Sequence, residues 1–276
     1  MQEIRIYEPH KQLKQGIKIW REMFQELYDF HELIWRLFAR DLSAKYKQSL
    51  FGNVWSLIMP LVAIGTFMYL NHAGILHIKK TFMPYPLYAL IGLSIWQLFS
   101  TGLTSGANSL IGAGDLVTKI NFPREVLVIA SMAQSVFDFL IKFVMIVVFF
   151  FIFHYLPSWK IIFFPFALLP LLCLTLGLSL ILSLLNGVVR DMANIISLLL
   201  MFLMFLTPVL YPMPTHFLLL KLNFLSPLIN TPRGIIADGS IHQPLYFLLS
   251  SIFSLLVLLI AWRVFHLAET KIPERI

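Results

Sequence analysis

The chain has 276 residues, of which 58% are hydrophobic and 13% charged, and its net charge is +7. A soluble domain carries roughly 45–50% apolar and about 25% charged residues, so this composition excludes an ordinary soluble fold. The single cysteine, Cys173, excludes an intrachain disulfide.

The first residues, MQEIRIYEPHKQ, hold no apolar run of the kind a cleavable signal peptide needs. Residues 22–39 then read as one amphipathic helix. Met23, Leu27, Phe30, Ile34 and Leu37 share a face, with Glu22, Gln25, Glu26, Asp29 and Glu32 turned away. Its acids come early and Arg36 and Arg40 late, which suits the helix dipole. Such a helix before a span is expected to lie in the membrane interface. Six apolar blocks follow, at 52–70, 87–104, 127–153, 161–185, 193–211 and 245–262. Each is near the ~20 residues that cross the hydrocarbon as a helix. They are too long for barrel strands, which take about 9–11 alternating residues. The expected fold is an all-α integral membrane protein of six transmembrane helices preceded by the interface helix. Residues 1–50 form a cytosolic segment, 51–264 the membrane domain and 265–276 a cytosolic tail.

Charge placement sets the orientation. Of the 21 Lys and Arg, fifteen lie in residues 1–50, the loop 105–126, position 190 and the tail, and five lie in the alternate loops, Arg233 among them. Basic residues mark the cytosolic side, so both termini are expected there. The basic end abuts a span, where anionic lipid is a nearer partner than nucleic acid. The cytosolic loop 105–125 holds Gly106, Gly112 and Gly114, which break helix, and a short helical stretch at 115–120. Its apolar Leu116, Val117 and Ile120 predict a covering partner or lipid. The external segment 212–244 is long for a connection. Its apolar pieces, 217–222 and 224–229, are too short to cross a bilayer and read as re-entrant or interfacial helices broken by Pro227 and Pro232.

Little in the chain suggests chemistry of its own. No GxxxxGK[ST] loop occurs, so ATP binding has no basis here. His31-Glu32 lacks the second His of a metalloprotease motif, and no metal site is expected. Asp138 and Lys142 lie four apart on one helical face inside a span. An unpaired charge at that depth costs roughly 2.5–3.5 kcal/mol, so they read as a buried ion pair. The other reading makes them an ion or proton relay in a stand-alone secondary transporter or channel. The 25 Phe, with Trp and Tyr, fit packing and interfacial belts, and some could line a pore. Small residues recur at four-residue spacing, at Gly102 and Gly106 and at Ser179, Ser183 and Gly187, and permit close helix contact.

Three segments occur in order: RDLSAKYKQSLFGNVWSLIMP at 40–60, NSLIGAGDLVTKINFPRE at 108–125, and a run from Asn186 through Arg190-Asp191 to TPVLYPMP at 207–214. Together they resemble the membrane subunits of ABC-2 type polysaccharide exporters, which move O-antigen, capsule or teichoic acid. The chain departs from that pattern at Ser226-Pro227, where the family often has Asn-Pro. The resemblance implies a homodimer in the cytoplasmic membrane, working with two copies of a separate ATPase subunit that holds ATP-Mg. It implies no enzymatic activity and no cofactor in this chain, and a lipid-linked glycan as cargo. It places an interface helix at 22–39 and external re-entrant helices at 212–240. The ATPase-coupling segment would include Asp115, Leu116, Val117, Lys119 and Ile120. The path would be lined by the first and fifth spans. Trp55, Met59, Val62, Thr66 and Tyr69 share one face of the first, and Asn194, Leu198, Met201 and Phe205 one face of the fifth.

Overall fold

The computed structural model describes residues 18–47, 54–74, 81–114, 116, 122–189, 191–212 and 223–268. All regular structure among them is helical. Two helices come first, α1 (Lys18–Asp29) and α2 (His31–Lys47), in place of the single helix expected over 22–39. The chain turns at Phe30 between them. The face named from the sequence packs on the chain itself: Met23 and Leu37 are buried, and Leu27, Phe30 and Ile34 are half-buried against the same apolar cluster.

Six apolar helices follow: α3 (Val54–His72), α4 (Tyr85–Gly112), α5 (Glu125–Ile152), α6 (Phe164–Val188, preceded by a 3-10 turn at Trp159–Phe163), α7 (Met192–Leu206) and α9 (Pro244–Ala268). Four of them, α4, α5, α6 with its 3-10 turn, and α9, are long and apolar enough to cross a membrane. The other two are shorter. α7 has only 15 residues, or about 22 Å of helix against ~30 Å of hydrocarbon. Its end is fixed at Thr207, whose backbone is already extended, because Pro208 follows. The residue before a proline is pushed out of the helical region, and proline has no N–H to continue the ladder.

α4 is the centre of the bundle. Pro84 and Pro86 fix its entry, where the missing N–H groups cost nothing. It packs on α5 and α6 most extensively and also touches α3, α7 and the outer helix α8 (Leu225–Ala237). Its contact with α6 runs through small residues. A Cβ at Gly102 would lie 2.9 Å from Thr175 Cγ2, and one at Gly106 would lie 2.6 Å from Ser179. Ser179 Oγ donates to the Gly102 carbonyl at 3.3 Å, and Asn186 Nδ2 to the Ala107 carbonyl at 3.0 Å and Asn108 Oδ1 at 2.8 Å. α6 in turn meets α9 backbone to backbone, with a Cβ at Gly177 only 2.8 Å from Leu258 Cα. Without a hydrophobic drive between helices in lipid, close backbone approach and interhelical hydrogen bonds hold a bundle together.

α8 is longer than the pieces expected at 224–229. Pro227 falls in its first turn and Pro232 inside it, and neither ends it. Every residue of α8 except Asn230 is buried. It dips into the bundle against α4, α6 and α9 rather than resting on its surface.

A branched side chain at Gly106 should separate α4 from α6. Gly106→Val is expected to destabilise the protein by about 1–3 kcal/mol, read as a lower detergent melting temperature. Gly112→Ala, which faces open space, should leave it unchanged.

Candidate transport path and its anchors

α3 and α7 are each held to the bundle by a narrow stripe. On α3 only Pro60 and Ile64 are buried; on α7 only Ile196 and Leu200. Most of the remaining surface of both is apolar and exposed. Trp55, Met59, Val62 and Tyr69 on α3 are 47%, 60%, 59% and 71% exposed, and Thr66 is exposed as well. On α7, Leu198, Met201 and Phe205 are 56%, 62% and 49% exposed, and Asn194 is exposed. The residues singled out from the sequence therefore lie on open surface in the single chain.

At one end of the bundle, α2 runs alongside α5. Leu37, Arg40 and Asp41 sit beside Leu127 to Gln134 around an open groove of about 330 Å³. Further on, Phe38 meets Phe137 with ring centroids 6.1 Å apart. At the far end of α2, Lys45 Nζ donates to Asp138 Oδ2 at 2.6 Å. α5 has 28 residues, about 42 Å, so roughly eight of them exceed the hydrocarbon thickness. α2 packs along the first half of that length, from Leu127 to Asp138.

This contact changes the expected pairing of Asp138. Its direct partner is Lys45, 93 residues earlier, and not Lys142 alone. Lys142 is buried one turn deeper, attracted by Asp138 and repelled by Lys45. The three form one cluster of two cations around one carboxylate. Lys45 is an addition to the expected Asp138–Lys142 pair, and sequence spacing misses it because it sees only partners on the same helix.

A second buried contact closes the cytosolic side. Glu125, at the start of α5, meets His266, near the end of α9, with Oε1 to Nδ1 at 3.1 Å, and both side chains are buried. α1 covers the same corner. Trp20 and Phe24 meet Trp262 edge-on, with centroids 5.9 Å and 4.7 Å away. On the outward surface of α1 and α2, Phe24, Tyr28 and Trp35 are 59%, 74% and 66% exposed. Glu32 there accepts from Arg36 at 2.7 Å, and that hydrogen bond, with the arginine's charge, holds its carboxyl below the usual carboxylate range.

Of the coupling residues, Asp115, Val117, Lys119 and Ile120 lie outside the described residues. Leu116 is half-buried and packs on the chain's own cytosolic cluster, which includes Leu110, Ala113 and Phe122. Part of the cover expected for Leu116 is thus supplied by the chain itself, at the end of α4.

At the outer end, Arg233 does not sit in an external loop as its position in the charge pattern implied. It is 1% exposed, inside α8. Neither Lys45, Glu125, His266 nor Arg233 was singled out as a site residue by the sequence. The signal available for Arg233 was a lone cation in an apolar run, a placement that is costly unless the charge is engaged.

The bundle, with its buried polar contacts and dipping outer helix, is that of a membrane transport subunit. The chain belongs to the ABC-2 type transporter membrane family, whose family model matches residues 32–237. It is 27% identical over 260 residues to the O-antigen export system permease protein RfbA of Myxococcus xanthus. That match covers 92% of this chain and 99% of the relative. Two Klebsiella pneumoniae proteins of the same description are also similar. One is 28% identical over 211 residues, or 74% of this chain and 79% of the relative. The other is 30% identical over 176 residues, or 62% and 66%.

The three-residue charge cluster makes an asymmetric prediction. Asp138→Asn leaves Lys142 buried and unmatched and should cost about 3–5 kcal/mol. Lys45→Met removes a half-exposed cation and should cost about 0–1 kcal/mol. Asp138→Asn combined with Lys142→Met should recover most of the loss. Thermal melting in detergent checks the order, and equal losses for Lys45→Met and Asp138→Asn would refute it.

Proposed function

We propose that the chain is the membrane subunit of an ATP-driven exporter that carries a lipid-linked polysaccharide, of the O-antigen kind, across the cytoplasmic membrane. Two copies enclose the path, and two copies of a separate ATPase subunit drive it. Both termini face the cytosol, in keeping with the basic bias of residues 1–50.

The observation that carries this reading is the pair of weakly anchored helices. α3 and α7 keep only a thin stripe each on the bundle, and both leave an aromatic and thioether-rich face without cover in the single chain. A second copy related by a two-fold axis would place such faces opposite each other, the usual form of a homo-oligomer. Sugar rings have apolar faces that suit Trp55, Tyr69 and Phe205, while Thr66 and Asn194 offer hydrogen bonds. The relatives' O-antigen export names support the cargo.

On this reading ATP binding closes the partner subunits against the loop 105–125. The loop moves the end of α4, and the rigid α4–α6 contact passes that motion to the rest of the bundle. The exposed aromatic residues of α1 and α2 sit in the headgroup layer. Lys45 ties that layer to α5 through Asp138. With Asp138 engaged by Lys45, the charge cluster reads as an anchor and not as an ion relay.

A photocrosslinking residue at position 69 or 205 should capture glycan when ATP and the partner ATPase are supplied. Capture should persist with the proton gradient collapsed. Crosslinks to phospholipid alone would count against the path. Loss of capture on collapsing the gradient would favour a secondary transporter.

A further inference from the structure

We infer that Arg233 is a pin that fuses the outer helix α8 and the outer end of α7 into one rigid body. The inference rests on reading α7 as a wall of the path. It adds how the outer mouth opens: this body moves as a unit, and the irregular turn at 207–211 stays formed.

The need for a pin starts with the length of α7. Its helix stops at Leu206, leaving carbonyls that a longer helix would have paired. Backbone without regular structure is tolerated at membrane depth only where protein satisfies it. Thr207, Pro208, Val209 and Leu210 are all buried, so water cannot do so. Outer residues supply the donors. Asn223 Nδ2 donates to the Leu206 carbonyl at 3.0 Å and to Thr207 Oγ1 at 2.9 Å. Tyr211 Oη donates to the Phe205 carbonyl at 2.6 Å.

Arg233 completes the set. Its Nη1 donates to the Pro208 carbonyl at 2.9 Å and to Asn230 Oδ1 at 3.2 Å, and its Nη2 to the Val209 carbonyl at 2.7 Å. Its Cζ stands 3.9 Å above the centre of the Tyr88 ring on α4. Among the described residues no carboxylate forms a salt bridge with it. The charge is instead held by carbonyl oxygens and an aromatic face. That arrangement suits guanidinium and not ammonium, because a planar fork meets two successive carbonyls at once and stacks on the ring.

α4 is shaped to admit it. A Cβ at Gly92 would fall 1.8 Å from Nη2 of Arg233 and 2.3 Å from the Val209 carbonyl oxygen. Glycine is therefore required at position 92 to bring α4, the α7 turn and the Arg233 head together. One side chain thus joins three elements at the outer end: α4, the end of α7, and α8.

The test uses the chain reconstituted with its ATPase partner in liposomes. The first arm needs no substitution at the pin. Phenylglyoxal modification of Arg233 is followed by mass spectrometry, without nucleotide and with ATP and vanadate. In both states Arg233 should react about tenfold or more slowly than in the denatured chain, as expected for a group exposed only by local opening. The second arm measures the distance distribution between spin labels at Phe202→Cys and Ile241→Cys, in a Cys173→Ser background. Arg233→Lys and Arg233→Met should both broaden that distribution and lower export, while ATP hydrolysis persists. Reaction of Arg233 at the denatured rate in the ATP-trapped state would overturn the inference. So would a distribution in Arg233→Met as narrow as in the unsubstituted protein. Should Arg233→Met fail to accumulate, the first arm decides alone. Absence of glycan export by the unsubstituted complex would count against the proposed cargo, while both arms would still report on the pin.

Discussion

Tyr85–Gly112 has almost no free surface, and the other helices are placed by what it touches. The contact with α6 sets the geometry. Gly102 and Gly106 let Thr175 and Ser179 come to van der Waals distance, and the hydroxyl of Ser179 reaches the α4 backbone directly. In lipid the apolar side chains gain little by leaving the solvent, so shape and hydrogen bonding decide which helices stay together. A stiff α4–α6 core gives α3 and α7 something to lean on with only two buried residues each. It also offers a lever, because α4 runs on to Gly112, inside the segment expected as the loop 105–125.

The two ends of the molecule meet the same requirement with different chemistry. At the end of the bundle that carries α1 and α2, side chain answers side chain. Lys45 reaches Asp138, and His266 reaches Glu125. These contacts bind the first helices of the chain to α5, and the last turn of α9 to the first turn of α5. On the outer side a single cation is surrounded by backbone carbonyls and a ring. Carbonyl partners leave the arginine at a fixed place on a fixed backbone, which favours rigidity. The cytosolic Lys45 is half-exposed and attached by one ammonium group, a looser joint.

Much of the fold was legible in the sequence. The apolar blocks predicted the helices, because twenty apolar residues in a row have few other uses. The amphipathic spacing of Met23, Leu27, Phe30, Ile34 and Leu37 marked the face that packs, since one buried stripe on a helix must recur with its turn. The rows Gly102–Gly106 and Ser179–Ser183 marked close contact, and the structure brings the two rows together at Gly106 and Ser179. The three ordered segments indicated the family. Lengths and breaks were less legible. Pro208 cuts the fifth block short, while Pro227 and Pro232 fail to cut α8. A proline in a first turn loses nothing, and one inside a buried helix can be held there by its neighbours.

What the sequence determined by itself was local: which stretches are helical and which faces are apolar. Each of these depends on residues within a turn or two of one another. What only the tertiary structure decided was pairing across the chain. Lys45 and Asp138 are 93 residues apart, and Glu125 and His266 are 141 apart. Arg233 reads in sequence as one more external cation. It becomes a buried anchor because the α7 helix ends early, Gly92 lacks a side chain and Tyr88 turns its face to it. No periodicity encodes that meeting, since it requires three helices to be in place before any of its contacts exists.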